Sequence, residues 1–428
     1  MNQQTDKSAV IAAAPDTVPV ESRPQPERQV SRLRRFMLAS VSVLLGLVMS
    51  FVILEFGLAA FYYSNDQEIE RYAFDSELGW RLKPGHYIIK PPQSLFKHTI
   101  TINSLGMRNR ELRPRTEGTK RIIVLGDSFT FGENVRDEAL FSTQLENRLN
   151  SGSPANLPKY EVVNTGVPGY GNAQELLLLK RLNSSGVVGD VYILNVFTND
   201  ILDNLCMNYA DRSRNLVQPG FVLDNGQLIF KYRPQNVSRD QGNFVAVRRG
   251  LNLKLVSVIR NNLQSVAQTE PGLMKAVSML GFKMNVRRMP GIINAWYDDD
   301  VLRSGVPLMK ALIGEINSTV KSVNGTLIVS FIPSPMLVYR ETYDQIIKAG
   351  FPDDPEAIQF LNDPTRAERI VRQICEELNL PLLDMLPILR ARRTHSYYLP
   401  ADGHFNQAGH ALFAASLETA VRENIAGK

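Results

Sequence analysis

The chain has 428 residues, of which 44% are apolar and 21% charged, and a formal net charge of +5. That length leaves room for more than one domain, or for one domain with large additions, and the apolar content suits a globular protein. The charge is too small to argue for nucleic acid, and no basic cluster with interleaved aromatics accompanies it, so no nucleic-acid partner is expected.

Residues 1–35 are rich in Ala, Pro, Gln and Glu without periodicity, which predicts a disordered tail. The tail ends in a basic cluster, Arg28, Arg32, Arg34 and Arg35. Residues 36–54 then carry no charge, and the apolar run continues past Glu55 to Tyr63. A transmembrane helix over 36–63 is expected; a cleavable signal peptide would have a shorter core and a small-residue cleavage site. Asp66, Glu68 and Glu70 follow the span. The positive-inside rule therefore puts the tail in the cytoplasm and the remainder outside it, as in a signal anchor.

Residues 64–118 form a small β-rich lead-in. Alternation over residues 98–103 and Gly/Pro punctuation predict short strands. Trp80, Arg81, Met107 and Arg108 either line a substrate groove or fix the lead-in to the core.

Residues 119–428 read as one α/β domain. In residues 121–134, RIIVLGDSFTFGEN, a short apolar β-branched run ends at Gly126, with Ser128 just beyond it. Such a run reads as a buried parallel strand, and in open α/β sheets ligands bind outside the strand ends. A helix is predicted from about Asp137 to Leu149. Asp127 and Ser128 either cap a helix or present Ser128 as a nucleophile. Residues 162–171, VVNTGVPGYG, are a strand running into a Gly-rich turn, and residues 191–200, VYILNVFTND, are a third buried strand. About residues 205–305 form an insertion, with a hairpin at FVLDNGQLIFKY turning on Asn225-Gly226, helical stretches around residues 245–266, and basic residues Arg248, Arg249, Arg287 and Arg288. A helix over 302–323, a strand over 325–332, a helix over 365–378 and a strand over 380–385 complete the alternation. Strand alternating with helix predicts a three-layer, doubly wound parallel sheet of flavodoxin-like type. Near the C-terminus, residues 398–410, YLPADGHFNQAGH, lead into an amphipathic helix.

These four blocks, in the order Ser, Gly, Asn, His, resemble the SGNH hydrolases, also called GDSL-type esterases. The resemblance runs from about Lys120 to Glu423 apart from the insertion, and the lead-in is similar to those of some envelope-associated members. It implies Ser128 as nucleophile and one oxyanion donor, Gly169 as a second donor with Gly166 as the alternative, and Asn199 as the third. The family's Gly-x-Asn-Asp is here Phe197-Thr198-Asn199-Asp200, so its Gly is lost. His404 is the implied base and Asp402 the acid, at Asp-x-His spacing where the family usually has Asp-x-x-His. His410 lies inside a helix and reads as a packing or capping residue. Asp127 reads as structural.

Neither Cys206 nor Cys375 lies in a C-x-x-C motif; they read as a possible extracytoplasmic disulfide or as two buried thiols. No metal-ligand spacing, Walker loop, G-x-G-x-x-G or G-x-S-x-G is present, so no metal or cofactor is expected and the α/β-hydrolase elbow is disfavoured. The expectation is a membrane-anchored, extracytoplasmic serine esterase acting on an acylated carbohydrate, such as an envelope or exported glycan, or on a small ester. The alternatives are an O-acyltransferase, or a degenerate module that binds glycan or scaffolds envelope assembly. The insertion is expected to wall the cleft, with Arg248 or Arg249 as candidate substrate contacts.

Overall fold

A computed structural model describes residues 27–63, 71–89, 98–133, 135–152, 159–205, 210–211, 216–232, 295–350, 354–399 and 403–425. The chain forms two units, Met1–Leu58 and Ala59–Lys428. In the first, helix α1 (Glu27–Tyr63) contains the stretch Arg34–Gly57, with a mean hydropathy of 2.5 and none of its most apolar window buried. Its 24 residues span roughly 36 Å at helical rise, enough for a hydrocarbon core of about 30 Å. A helix that is apolar all round and unburied by protein has the properties of a membrane span.

The second unit opens with two antiparallel hairpins, β1 (Tyr72–Asp75) with β2 (Gly79–Leu82) and β3 (Gly85–Ile89) with β4 (His98–Ile102). Then follow β5 (Lys120–Leu125), α2 (Ser128–Phe131), α3 (Phe141–Leu149), β6 (Tyr160–Asn164), α4 (Asn172–Ser184), β7 (Val191–Phe197) and α5 (Asp200–Asn204). The insertion contributes β8 (Ala210–Asp211), β9 (Leu216–Val217), β10 (Gly220–Asp224) and β11 (Gln227–Tyr232). The chain closes with α6 (Asp299–Lys321), β12 (Thr326–Ile332), α7 (Pro335–Val338), α8 (Arg340–Gly350), α9 (Pro355–Asn362), α10 (Arg366–Glu377), β13 (Leu382–Asp384), α11 (Met385–Arg390) and α12 (Gln407–Ile425).

The main sheet has five parallel strands in the order β13-β12-β7-β5-β6. Counted within the sheet, this is the 2-1-3-4-5 arrangement of doubly wound folds, whose ligand crevice lies beside the first strand where the winding reverses. Right-handed crossovers put α3 on one face and α4, α6 and α10 on the other. Helix α12 packs on α3, and α4 on α6. Strand β5 lies inside the sheet, between β7 and the edge strand β6, and its Ile122, Ile123, Val124 and Leu125 are all fully buried. The fold is the expected three-layer α/β architecture.

Local differences from the sequence reading have identifiable causes. The helix expected from Asp137 breaks at Leu140, whose ψ of 139° separates a 3₁₀ turn (Asp137–Ala139) from α3. Helix α6 begins at Asp299, three residues before the expected Leu302, because the Asp298 carboxylate accepts from the Asp300 and Val301 amides. The hairpin turns at Asn225-Gly226 as expected, with φ of 49° and 78°. The expected helical stretches over residues 245–266, the four basic residues of the insertion and Cys206 lie outside the described residues. Cys375 is a buried free thiol, its pKa pushed up to about 12 by burial.

The lead-in shares a small core with the main domain: Leu78, Trp80, Leu82, Ile100 and Ile102 pack with Phe131, Val167 and Tyr170. Arg108 ties the two together. It is 1% exposed, and its guanidinium donates to Phe131 O (3.1 Å), Gly132 O (2.5 Å), Val135 O (2.6 Å) and Asp137 Oδ1 (2.9 Å). Asp137 also accepts from Thr101 N in β4 at 3.0 Å. Trp80 and Met107 are likewise buried, whereas Arg81 is exposed. Of the four lead-in residues singled out, three therefore fix the lead-in to the core. Arg108→Ala would leave three carbonyl oxygens and a carboxylate without their donor, and is expected to cost about 3–5 kcal/mol of stability, read as a lowered urea midpoint at unchanged m-value.

Candidate active site

Ser128 occupies the turn between β5 and α2. Gly126 makes that turn at φ +153°, and a Cβ there would lie 2.0 Å from Thr130 Oγ1, so only glycine fits. Asp127 is the N-cap of α2, its Oδ1 accepting from Phe129 N at 2.8 Å. With the capping done by Asp127, the half-buried Ser128 hydroxyl is left at the first helical position, facing the crevice end of the sheet.

The C-terminal loop delivers His404 to that hydroxyl: Nε2 lies 2.7 Å from Ser128 Oγ. Leu399 N donates to His404 O (2.8 Å), Gly403 N to Leu399 O (2.9 Å), and Tyr398 bridges to Phe405, so the loop is a tight hairpin-like clip. Tyr398 Oη anchors it to Pro333 O at the end of β12 (2.7 Å). The imidazole packs on Phe129, with ring centroids 4.8 Å apart, and Phe129 packs on Phe197 at 4.2 Å. Phe197 thus completes an aromatic wall behind the histidine.

His410 is 2% exposed and stacked on Phe141, and its Nδ1 accepts from Phe141 N at 3.3 Å. Burial, with Arg108 and His404 adding repulsion, lowers its pKa to about 3, so it is a neutral packing group. His86 and His395 are exposed. Asp402 lies outside the described residues.

The amides of the second block distinguish Gly166 from Gly169. Thr165 N donates to Val124 O (3.0 Å), Gly166 N to Asn164 Oδ1 (3.0 Å), Val167 N to Gly126 O (3.1 Å) and Tyr170 N to Val167 O (3.1 Å). Pro168 has no N–H. Gly166 has therefore spent its donor, whereas Gly169 N has no partner among the described residues. Asn164 also donates to Thr130 O at 2.7 Å, locking this block to α2.

Asn199 caps α5, and its amide donates to Asp203 Oδ2 at 2.6 Å. It borders a group of buried acids that sequence reasoning missed. Asn172 Nδ2 donates to Glu175 Oε2 (2.9 Å) and Asp200 Oδ2 (3.4 Å), and Phe197 N to Asp200 Oδ2 (3.2 Å). Burial pushes the carboxyls of Glu175 and Asp200 well above their ordinary range, and the like charges beside them act the same way. Burial also raises Asp127, offset in part by the Phe129 amide, His404 and Asn199. Asp127 Oδ2, Glu175 Oε1, Thr198 Oγ1, Asn199 Oδ1 and Asp200 Oδ1 are buried without a partner among the described residues. All are oxygens, of which only the Thr198 hydroxyl carries its own proton, and a protonated carboxyl supplies a further donor. Asn172, Gln174 and Glu175 are all buried in the first turn of α4, a place where polar side chains ordinarily face water, so no sequence signal marked them. Among the described residues, no group of three or more His, Cys, Asp or Glu is arranged to hold a metal ion.

No family model matches the chain, and no curated protein matches it. Solved structures that it is similar to include the acetyl xylan esterase AlAXEase, at 12% identity over 70% of this chain and 99% of that one, with a TM-score of 0.34. A member of the lipolytic protein G-D-S-L family from Veillonella parvula matches at 12% identity over 71% and 98% of the two chains, with a TM-score of 0.32. A catalytic mutant of Axe2, an acetylxylan esterase from Geobacillus stearothermophilus, matches at 12% identity over 70% and 93%, with a TM-score of 0.33.

The raised carboxyls have a consequence for stability. A folded pKa above the unfolded values of about 3.8 and 4.5 means that the native state binds the extra protons. The contribution is complete below those values and is lost as pH rises through the folded ones. Urea stability is therefore expected to fall as pH rises above the unfolded values, and Glu175→Gln or Asp200→Asn to flatten that fall. Denaturation of the three proteins over that rise checks it; a steeper fall in the amide variants would contradict it.

Proposed function

We propose that the chain is an SGNH-type serine ester hydrolase working through an acyl-enzyme, held by one membrane helix with its catalytic domain outside the cytoplasm. The observation that carries the reading is the 2.7 Å contact of His404 Nε2 with Ser128 Oγ at the reversal point of the sheet. Ser128 Oγ attacks the ester carbonyl while its proton passes to Nε2, which neutral imidazole accepts near neutral pH. The developing oxyanion is held by the Ser128 and Gly169 amides and by the Asn199 side chain, whose second amide proton is not needed by Asp203. Collapse breaks the ester bond; the leaving alcohol takes the proton from His404, and the acyl group stays on Ser128. Water, activated by the same imidazole, then releases the acid. If a sugar hydroxyl takes the place of water, the same site performs O-acyl transfer. Asp402 is the proposed orienting acid, while Asp127 is committed to capping α2.

The substrate class follows from the compartment: O-acyl groups on an envelope or exported glycan, or small esters met there. The basic cluster before the span and the acidic residues after it support that orientation.

Ser128→Ala and His404→Ala are each expected to lower kcat for a chromogenic acetyl ester by about a thousandfold or more, with an unchanged melting transition. A fluorophosphonate should add its mass at Ser128. Absence of both turnover and labelling would instead identify a module that binds without catalysis. Reporter fusions after Asn65 check the orientation: a reporter active only after export should work there, and activity of a cytoplasmic reporter would overturn the placement.

A further inference from the structure

The chain has two tryptophans, and each donates its indole N–H to a backbone carbonyl in a loop of the site. Trp80 Nε1 donates to Pro168 O at 3.1 Å, and Trp296 Nε1 to Thr198 O at 2.7 Å. Both side chains are buried, at 4% and 1% exposure, so neither offers its face to a substrate. Both come from outside the sheet and its crossover helices: Trp80 from the lead-in strand β2, Trp296 from the far end of the insertion.

The accepted carbonyls are informative because of where they lie. A peptide group is planar and, before a residue other than proline, trans, so its C=O and N–H point in opposite directions along one rigid unit. The Pro168 carbonyl belongs to the same unit as the Gly169 N–H. Holding one end from behind fixes the direction of the other. The next unit is held too: Gly169 O accepts from Gln218 Nε2 at 3.1 Å. Gly169 thus has both flanking peptide planes fixed, one by the lead-in and one by the start of the insertion. It needs this, since glycine at φ +80° has few barriers of its own. The clamp is itself braced. Tyr170 Oη donates to Trp80 O (2.5 Å), Gln174 Nε2 to Leu78 O (2.7 Å), and Gln218 Nε2 lies 3.3 Å from Gln174 Oε1. In the third block, the Thr198 carbonyl shares its unit with the Asn199 N–H, so Trp296 fixes the backbone from which the Asn199 side chain extends.

We propose that Trp80 and Gln218 are positioning residues for the Gly169 oxyanion donor, with Trp296 doing the same for Asn199. The proposal rests on the esterase reading above. Its energetic logic is that a preorganised donor need not reorient as charge develops, while a misplacement of about 1 Å costs on the order of a hundredfold in rate. The lead-in and the beginning of the insertion then belong to the catalytic apparatus of the domain, as the outer support of its oxyanion loops.

Trp80→Phe keeps a ring against Tyr170 but removes the N–H, and Gln218→Met keeps the length of the side chain without its donor. Each is expected to lower kcat for a chromogenic acetyl ester at least about tenfold, with KM within about twofold and little change in melting temperature. The rate of phosphonylation of Ser128 by a fluorophosphonate, which also develops charge on that oxygen, should fall by a similar factor. If Trp80→Phe does not fold, Gln218→Met and Trp296→Phe decide the matter by the same measurements. Unchanged kcat in the folded variants would overturn the proposal, as would losses that track a raised KM or a lowered melting temperature. Wild-type hydrolysis that survives Ser128→Ala, or a wild-type protein that neither turns over ester nor labels at Ser128, would remove the esterase reading and the positioning role with it.

Discussion

The hydrogen bond between Ser128 and His404 joins residues 276 apart in sequence. By chain statistics, bringing two such points together costs on the order of 5 kcal/mol. A single hydrogen bond returns about 1 kcal/mol net. The contact therefore cannot hold itself closed, and the rest of the domain must do so. The four buried residues of β5 seat the serine turn inside the sheet, between β7 and β6. Helix α12, packed on α3, brings the C-terminal loop back to the same edge, and Tyr398 pins that loop to the end of β12. Packing supplies the energy, and the hydrogen bond supplies the direction of one imidazole nitrogen.

Buried polar groups are treated in two contrasting ways around this contact. Arg108 is fully enclosed and has carbonyl and carboxylate partners on each side of its guanidinium. It is a satisfied group that joins two parts of the fold. On the other side of Ser128, Asp127, Glu175 and Asp200 are enclosed with oxygens that lack partners among the described residues. Unsatisfied buried carboxyls are costly unless protonated, and a fold that keeps them gives up stability next to its crevice. Structure and site can be told apart by this difference in hydrogen-bond completeness.

Much of this was legible in the sequence. Short β-branched runs alternating with helical periods specified the parallel sheet, because burial on both faces leaves only apolar residues in such strands. Ser128 and His404 stood out through the blocks around them, Gly126-Asp127 and the stretch 398–410 with Asp402, rather than through their own chemistry. Spacing from Asn164 pointed to Gly169 with Gly166 as the alternative, and the bond of the Gly166 amide to Asn164 Oδ1 adds a physical reason for that order. The buried acids escaped because Glu175 and Asp200 sit at helix starts, where polar residues ordinarily cap and face water. Trp80 was visible as a residue that packs, yet its effect runs through a peptide plane 88 residues away, and no local pattern encodes that. The break at Leu140 was missed because propensity does not register a single extended ψ within an otherwise helical run.

The separation of the two reacting side chains along the chain also has a meaning in time. A polypeptide made at about 5–20 residues per second carries its serine for roughly 15–55 s before its histidine is synthesised. Throughout that interval the apolar helix near the N-terminus and the serine strand are already made, but no base exists to activate the hydroxyl. On the proposed mechanism, the nascent chain is silent toward esters until His404 has been added and α12 has packed against α3, and a chain released short of His404 would be inert rather than partly active.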